Sequence, residues 1–474
     1  MSARLARRRP APETGIVHFG LGAFARAFAA IFVEQAIETH GGDWGIVGVS
    51  LRSPDTRDAL KPQDWTYTAV ELGPDGETPR HVQVLSDVLV APEAPGAVFD
   101  ALDKANLVTL TVTEKGYCHV PATGKLNRDN PDIVQDLSDP ARPASALGYI
   151  ARALDARRKA GRAPFTVMSC DNIPSNGNLL RGLVLDLAAE MDAGLRDWIA
   201  ETVAFPSTMV DRIVPATTED DIRHIEGLIG AHDAAPVRHE PFRQWVMEDR
   251  FCAPRPDFGS VGAELVEDVA PYEHMKLRCL NGTHSSLAYL GYLAGAETMS
   301  DTVARPPLAA YVRHLWDNEI TPVLTAPPGV DLSNYTASLF DRFANPAIHH
   351  RTWQIAMDGS LKLPQRILDS VRENLDAGRT PEGLFLAIAA WVQFSSGKGL
   401  DGAPIEVKDP MADRLAACWD GTTDPDEIVG RYLALDEIFD PAFAARTEVP
   451  EGLARALRNL RADGAEGAAG AVAG

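Results

Sequence analysis

The first half of the chain alternates short apolar runs with longer segments of helical periodicity. Runs rich in β-branched residues at 16–19 and 45–50 flank a segment, 23–39, whose apolar positions recur at helical spacing. This strand, helix and strand have the length of one parallel crossover unit, so a doubly wound α/β architecture is predicted. Further strands are predicted at 107–113, 165–169 and 209–214.

Two stretches depart from this pattern. At 65–70 and 82–90, polar and apolar residues alternate in part, and a Gly-Pro-Asp-Gly sequence at 73–76 lies between them. Partial alternation is typical of antiparallel strands with one face toward solvent. Both stretches are therefore predicted to be antiparallel additions joined through a turn.

After about Pro271 the pattern becomes one helix after another. Helices are predicted at 276–294, 308–319, 364–377, 381–394 and 425–435, the last with Asp424 as its N-cap. Residues 1–270 are thus predicted to form the α/β domain, and residues 271–474 a mainly helical second domain. The tail from about 464 is almost entirely Gly and Ala, and it is predicted to be disordered.

Composition and charge narrow the class of function. The formal net charge of -21 repels phosphate backbones and anionic lipids, so no nucleic-acid or membrane partner is expected, and the partner is expected to be a small molecule. The longest apolar stretch, 384–392, is too short to span a bilayer. Five scattered cysteines without a C-x-x-C pair indicate neither a disulfide framework nor a zinc site, and they fit a reducing cytoplasm. The oligomeric state is left open, with a monomer possible.

A glycine-rich loop follows the first predicted strand. Gly20-Leu21-Gly22-Ala23-Phe24-Ala25 has the G-x-G-x-x-A form in which glycine permits a tight turn and close approach of a pyrophosphate. Its position at the first strand-to-helix junction favours a Rossmann-like dinucleotide-binding domain over a tight turn without ligand. Asp55, after the second strand, would accept from the adenosine ribose and favour NAD over NADP. Alternatively, Asp55 caps a helix, and Arg52 and Arg57 serve a phosphate.

The segment 272–284 has a high density of functional groups. At 100° per residue, Glu273, Asn281 and His284 all fall within about 140° of Lys276 on one helical face. An amphipathic surface helix would show the same grouping, but the apolar run at 287–293 indicates that this helix enters the interior. Alcohol oxidation needs a base and a donor for the oxygen, and Lys276 and Asn281 could supply them.

A second donor is predicted where another strand ends. Asn172 follows the strand at 165–169, at the edge where open α/β sheets bind ligands. The alternative is an Asx turn of Asp171 and Asn172 before Pro174. Since no Cys, His or acidic residues have zinc-ligand spacing, a metal-free mechanism with a general base is predicted.

Three blocks of the sequence resemble one family. The segments 203–215, 111–118 and 276–284 are similar to blocks of the long-chain mannitol dehydrogenase family, whose members act on polyols and hexonates, and the similarity extends over nearly the whole chain. The resemblance implies an NAD-dependent dehydrogenase. It also implies that Lys276 is the general base and that Asn172 and Asn281 form the oxyanion hole.

Further site residues follow from that resemblance. Glu273 would gate a proton path, and Asp55 would select NAD. The substrate would contact His284, Lys362 and Asp211, although Asp211 could instead form a buried ion pair with Arg212, and Lys362 could be a solvated residue in a Gly-Ser loop. The expected cofactor contacts are Gly20, Gly22, Ala23, Phe24, Arg26, Asp55, Thr113 and Glu114.

The segment 350–366 bears on the substrate. It resembles fructuronate reductases more than mannitol 2-dehydrogenases, and Gln354 stands where the mannitol enzymes tend to have arginine. D-mannonate with D-fructuronate is therefore expected first, and D-mannitol with D-fructose second. A hexonate carboxylate would need a basic partner, for which Arg351, Lys362 and Arg366 are candidates.

The chain departs from the family pattern in one place. Ala25 and Phe28 replace two histidines that the family usually carries after the glycine loop. Because the predicted base and amides are present, we expect altered cofactor geometry or substrate range with the chemistry retained. The alternative from another class is a non-catalytic sugar or dinucleotide sensor on the same fold.

Overall fold

The structure, a computed structural model, describes residues 3–121 and 123–474. The chain divides into two compact units, Met1–Ala270 and Pro271–Gly474. Each has its own secondary-structure composition, with the strands in the first unit and almost entirely helices in the second.

The strands of the N-terminal unit form several sheets. They are β1 (Thr14–Phe19), β2 (Gly45–Ser50), β3 (Tyr67–Gly73), β4 (Gly76–Val82), β5 (Leu85–Val90), β6 (Leu107–Leu110), β7 (His119–Val120), β8 (Lys125–Leu126), β9 (Thr166–Ser169), β10 (Thr208–Asp211), β11 (Val237–His239), β12 (Gln244–Glu248) and β13 (Glu264–Val266). The central sheet has the order β5-β2-β1-β6-β9 and is parallel throughout. The strand order therefore reverses between β1 and β6, which is where such sheets bind ligands.

The helices follow in chain order. Those of the first part are α1 (Ala23–Ala27), α2 (Ala29–His40), α3 (Asp55–Leu60), α4 (Pro95–Lys104), α5 (Pro131–Ser138), α6 (Ala146–Lys159), α7 (Asn176–Met191), α8 (Ala193–Thr202) and α9 (Glu219–Ile229). Alternate side chains of β1 enter two apolar clusters, with Val17 and Phe19 in one and Ile16 in the other. Both faces of the parallel sheet are thus covered, as the doubly wound prediction requires.

The predicted antiparallel additions are corrected in part. β3 and β4 form an antiparallel hairpin across Gly73 and Gly76, but β5 pairs in parallel with β2 at the edge of the central sheet. Partial alternation in β5 reflects its edge position, where Ser86, Asp87 and Leu89 are less covered than Leu85, Val88 and Val90. β10, predicted as a further parallel strand, pairs antiparallel with β12 in a separate sheet.

The C-terminal unit is helical. Its helices are α10 (Ala270–Met275), α11 (Thr283–Leu293), α12 (Met299–Val303), α13 (Pro306–His314), α14 (Leu332–Ala344), α15 (Thr352–Ile355), α16 (Gly359–Leu363), α17 (Asp369–Asp376), α18 (Glu382–Ser395), α19 (Ala412–Ala417), α20 (Pro425–Leu433), α21 (Pro441–Ala444) and α22 (Glu448–Ala473). Asp424 caps α20, as predicted, by accepting from the Asp426 amide at 3.1 Å.

Three of the predicted helices contain π-helical turns. These turns, at Lys276–Gly282, Leu315–Ile320 and Pro364–Leu368, use i→i+5 hydrogen bonds, so the predicted segments are not uniform α-helices. Hydrophobic periodicity does not readily reveal a single wider turn, because the period on either side stays that of an α-helix and only its phase shifts.

The prediction of a disordered tail is corrected. Helix α22 continues through the tail to Ala473, with a kink at Gly464, where φ is 73°. Ala465, Ala468 and Ala469 are buried, and Arg305 pairs with Glu466 at 2.6 Å. Small residues allow close packing against α13, which composition alone does not show. Within the described ranges, no helix is both long and apolar enough to cross a bilayer.

Candidate active site

The glycine loop connects β1 to α1 in a backbone conformation that glycine favours. Gly20 has φ of 86°, and a Cβ there would overlap the Thr111 carbonyl. The Gly20 amide donates to the Val49 carbonyl at 2.9 Å, and the Gly22 amide donates to the Gly20 carbonyl at 2.7 Å. The loop therefore lies close against the ends of β2 and β6.

A buried histidine supports this loop, and sequence reasoning missed it. His18 in β1 contacts the hydroxyl of Thr109 at 2.7 Å and that of Thr111 at 2.9 Å, and Thr111 in turn donates to the Gly20 carbonyl at 2.7 Å. Burial lowers the pKa of His18 to about 4, so the imidazole is neutral near pH 7. A polar residue within an otherwise apolar buried strand was the available sequence signal.

A cleft of about 510 Å³ opens beside the loop, entirely within the N-terminal unit. It is lined mainly by 20–22, 50–53 and 111–113, which follow β1, β2 and β6. Its volume lies in the range of ligand pockets, and its position at the carboxyl edge of the sheet suits a dinucleotide. A Cβ at Gly22 would meet no other atom closer than 3.9 Å, so a side chain there would project into open space at the cleft.

The loop after β6 is held by Asp171. Its carboxylate accepts from the amides of Val112 and Thr113, each at 3.0 Å, and from the Tyr117 hydroxyl at 2.8 Å. Burial raises the pKa of Asp171, while these three donors oppose that rise. Asp171 therefore shapes the cleft wall, which sequence reasoning did not anticipate when it considered a local turn of Asp171 and Asn172.

The predicted cofactor residues divide into two groups. Gly20, Gly22 and Thr113 line the cleft. Asp55 is exposed and begins α3, where its amide donates to the Ser53 hydroxyl at 3.1 Å. Among the described cleft-lining residues are Arg52, Ser53 and Thr56 rather than Asp55, so the alternative placement of Asp55 at a helix start agrees better with the geometry.

The other predicted cofactor residues lie outside the described lining of the cleft. Arg26 is buried, donates to the Ala235 carbonyl and lies 5.4 Å from the centre of the Tyr67 ring, and its role as a cofactor contact stays a prediction. Glu114 begins a short 3-10 turn, Glu114–Tyr117. Ala23 and Phe24 belong to α1, which comprises only five residues because the helix breaks at Phe28.

Ala25 and Phe28, which replace the two histidines usual in the family, lie in an apolar environment. Ala25 and Phe28 are both buried, and Phe28 contacts the rings of Phe24 at 5.1 Å and Trp245 at 5.4 Å. An aromatic cluster thus occupies the position next to the loop. Imidazole groups there would need polar partners, so the substitution fits its surroundings.

Lys276 and Asn281 lie in the C-terminal unit, on the first π-helical turn. The angular positions calculated for a uniform α-helix are corrected, because an i→i+5 turn brings residues five apart closer to one side than an α-helix does. Lys276 is 7% exposed. Among the described residues, the amide oxygen of Asn281 has no hydrogen-bond partner.

His284 follows on α11 and is also buried. Its ring stacks on Phe343, with centroids 5.3 Å apart, and meets His350 edge-on at 4.7 Å. Burial lowers the pKa of His284 well below its usual value, and the positive charges of Arg366, Arg342 and Lys362 lower it further. The imidazole is thus neutral, and its Nε2 has no hydrogen-bond partner in the part of the chain that the structure describes.

Lys362 and Arg366 add positive charge close to His284. The Lys362 ammonium donates to the carbonyls of Met357 and Ile355, and burial, with Arg366 second, lowers its pKa to about 8. Arg366 donates to the Ser285 hydroxyl at 3.0 Å. The structure thus brings together Lys276, Asn281, His284, Lys362 and Arg366 within one unit, and adds His350, which sequence reasoning missed.

Two predicted substrate residues are not brought to this group. Arg351 is exposed, pairs with Glu297 at 3.7 Å and lines a different groove of the same unit. Gln354 is exposed on α15. Both residues therefore stay predictions as substrate contacts.

Glu273, Asp211 and Asn172 have defined positions in the structure, and their roles stay predictions. Glu273 lies on α10, one turn before Lys276. Asp211 is 3% exposed at the end of β10, and Asn172 follows Asp171 at the end of β9. Arg212 donates to the carbonyls of Glu240 and Ala27 and lies 4.0 Å from Glu71.

Comparison with known proteins places this geometry in a family. The Rossmann domain model of mannitol dehydrogenase matches residues 14–260, and the mannitol dehydrogenase C-terminal domain model matches residues 268–461. D-mannonate oxidoreductase of Escherichia coli is 46% identical over 406 residues, covering 84% of this chain and 83% of that protein. Mannitol 2-dehydrogenase of Cereibacter sphaeroides is 39% identical over 463 residues, covering 97% and 96%.

A solved structure agrees over the full length. The ternary complex of Pseudomonas fluorescens mannitol 2-dehydrogenase with NAD and D-mannitol matches with a TM-score of 0.85 and 38% identity, covering 99% of this chain and 96% of that one. The fold and site define a dehydrogenase with a Rossmann domain and a helical domain. The chain belongs to the mannitol dehydrogenase family.

Family membership confirms the predicted fold class and the predicted class of enzyme, an NAD-dependent dehydrogenase acting on CH–OH groups of polyols or sugar acids. It removes the reason to consider a non-catalytic sensor. Among the described residues, no three His, Cys, Asp or Glu side chains are grouped as metal ligands, and the metal-free mechanism stays a prediction.

Proposed function

We propose that this enzyme transfers hydride between NAD(H) and a hexonate, with D-mannonate and D-fructuronate as the pair and Lys276 as the general base. The observation that carries the choice of a sugar acid is the cationic environment of His284. Lys362, Arg366 and Arg342 all act on this buried imidazole as positive charges. The 46% identity to a D-mannonate oxidoreductase supports the same choice.

The net negative charge of the chain gives the cationic environment of His284 a meaning for substrate choice. With a formal net charge of -21, the protein repels anions in general, so an anionic substrate needs a local cationic site. Buried cations are costly unless something compensates them, and a substrate carboxylate would do so for Lys362 and Arg366. A neutral ketose would offer these two cations no charge of opposite sign.

The cofactor fits the N-terminal unit. Gly20 and Gly22 would let the pyrophosphate approach the backbone, and residues 50–53 would lie along the adenosine side. When bound, NAD supplies the acceptor for the carbinol hydride. Arg52 lines this cleft and pairs with Asp132 at 3.2 Å, which leaves ribose recognition to neutral groups such as Ser53.

The C-terminal unit supplies the proton chemistry. In the oxidative direction, the Lys276 amine takes the substrate hydroxyl proton, and the Asn281 amide donates to the oxygen as charge develops there. His284, which burial keeps neutral, orients the substrate through Nε2 rather than by transferring a proton. The contributions of Asn172, Asp211 and Glu273 are part of the same hypothesis.

A substrate panel tests the choice of substrate. Purified enzyme with NADH is mixed separately with fructuronate, tagaturonate and fructose, and nicotinamide absorbance is followed. We expect the highest kcat/KM with fructuronate. A higher value with fructose would instead establish a mannitol 2-dehydrogenase, the second candidate, which the Cereibacter sphaeroides and Pseudomonas fluorescens relatives favour.

Two variants test the assigned roles. Lys276→Ala should lower kcat about 100-fold or more while NADH affinity, read by fluorescence titration, stays the same, because general-base catalysis contributes roughly 10²–10⁴-fold. Lys362→Gln should raise KM for fructuronate about ten-fold or more and KM for fructose much less, since a hydrogen bond to a charged group is worth roughly 1.5–3 kcal/mol. Equal changes for the two substrates would contradict recognition of a carboxylate.

A further inference from the structure

The π-helical turn 276–282 has carbonyls that accept from side chains. The Trp316 indole N–H donates to the Cys279 carbonyl at 3.0 Å, and the Ser286 hydroxyl donates to the Gly282 carbonyl at 2.9 Å. The Arg366 guanidinium lies 3.5 Å from the Asn281 carbonyl. A wider turn disturbs the i→i-4 ladder, and donors from side chains can compensate for the disturbed bonds.

Two of these donors come from the other π-helical turns. Trp316 lies in the turn 315–320 and Arg366 in the turn 364–368. The contact with the second is tight, because a Cβ added to Gly282 would lie 2.6 Å from the Arg366 carbonyl oxygen. The turn that carries Lys276 and Asn281 therefore contacts each of the other two wide turns.

Trp316 is also linked to the substrate histidine. Its ring is stacked near Phe343, with centroids 6.2 Å apart and planes at 23°, and Phe343 stacks on His284 at 5.3 Å. Trp316 is 2% exposed. One buried indole thus fixes a carbonyl of the π turn and supports the stack behind His284.

We propose that Trp316 and Arg366 are positioning residues, which hold the 276–282 segment in its π-helical form and so set the relative placement of Lys276 and Asn281. This inference rests on the proposed function, in which Lys276 is the base and Asn281 the donor. An α-helical turn in the same place would rotate Asn281 further from Lys276, because residues five apart lie about 140° apart on an α-helix.

The indole N–H is tested with Trp316→Phe, which removes the donor and keeps an aromatic ring. We expect kcat to fall about 10- to 100-fold, the loss associated with a misplacement of about 1 Å, with NADH affinity unchanged. The matched control is Trp419→Phe, which removes an indole N–H that donates to the Tyr432 hydroxyl at 3.1 Å, and which should keep the wild-type kcat. Equal losses of kcat in the two variants would overturn the proposal.

Arg366→Lys is the second variant. It keeps the positive charge but removes the planar donor to Ser285, so kcat should fall for fructuronate and for fructose alike, because the positioning of the 276–282 segment does not depend on the substrate. Amide hydrogen exchange over 276–286 gives a readout independent of turnover. It should be about ten-fold faster in both variants and unchanged in Trp419→Phe, because exchange reports local opening.

These measurements separate the two hypotheses. If the wild-type enzyme turns over fructuronate but both variants keep wild-type kcat and exchange, the positioning role is wrong and the proposed function stands. If the wild type turns over no keto-sugar or keto-acid, the proposed function is wrong, and exchange alone decides whether Trp316 and Arg366 hold the turn. Faster amide hydrogen exchange in the two variants would then support the role of Trp316 and Arg366 in holding the π-helical turn, and unchanged exchange would overturn it.

Discussion

His18 gives the N-terminal unit a predicted dependence of stability on pH. Burial lowers its pKa from 6.5 to about 4, because a protonated ring at this site would lose its hydration. A pKa lower by one corresponds to about 1.4 kcal/mol, so this lowering corresponds to about 3 kcal/mol of unfolding free energy. The unfolded chain takes up the proton first, so this stability is complete above pH 6.5 and is lost as the pH falls toward 4.

The contribution of His18 to stability can be isolated with the variant His18→Asn, because asparagine does not titrate in this pH range. Between about pH 7 and about pH 5, wild-type His18 should cost the protein about 2 kcal/mol of unfolding free energy, and the variant should lack this part of the loss. Urea unfolding followed by circular dichroism at the two pH values measures it. The difference between the two proteins removes the contributions of other buried histidines, such as His239 and His350, whose pKa values burial also lowers to about 4.

The expected result is a smaller drop in the urea midpoint for the variant than for the wild type. Because the same histidine supports the Gly20 loop, the NADH dissociation constant of the wild type should also rise toward pH 5 more steeply than that of the variant. An equal drop in both proteins would show that His18 is not the protected neutral group described here.

Three further predictions concern other parts of the molecule. Gly20→Ala should raise the NADH dissociation constant about ten-fold or more in calorimetry, since a left-handed conformation costs an L-residue roughly 1–2 kcal/mol and the Cβ also meets Thr111; wild-type affinity would contradict this. KM for fructuronate should rise above about pH 8, where Lys362 loses its proton, whereas KM for fructose should not; parallel profiles would argue against a carboxylate partner. Deleting residues 464–474 should lower the Tm of the protein by several degrees, at roughly 2–4 °C per kcal/mol, because the tail buries Ala465 and Ala469; an unchanged Tm would indicate a loosely attached tail.

The local pattern of apolar and polar residues was sufficient to place the strands of the central sheet along the chain. β1 and β2 were predicted to within two residues at each end, and the glycine loop was placed correctly between β1 and α1. Such elements depend on near neighbours, since a buried parallel strand requires an apolar run and a tight turn requires glycine. The edge strand β5 was misassigned because partial exposure there imitates the alternation of an antiparallel strand.

The candidate site was predicted only in part. Lys276, Asn281 and His284 were singled out by their chemistry and spacing, and the structure places them on one buried segment. The supporting roles of Asp171 and His350 were missed, because the partners of both residues are distant in the chain. Arg351 was named as a candidate partner of a substrate carboxylate and Arg26 as a cofactor contact. In the structure Arg351 pairs with Glu297 and Arg26 donates to the Ala235 carbonyl, and both roles stay predictions.

The sequence by itself determined the class of fold, the cofactor loop and the residue types of the reaction, because each depends on apolar periodicity or on groups a few residues apart. Only the tertiary structure decided that the catalytic segment is a π-helical turn and that the alanine-rich tail is an ordered helix. The first depends on donors from Trp316 and Arg366, and the second on close packing of small side chains. Contacts between segments that are distant in the chain stabilise both the π-helical turn and the tail helix, and such contacts cannot be predicted from the local sequence pattern.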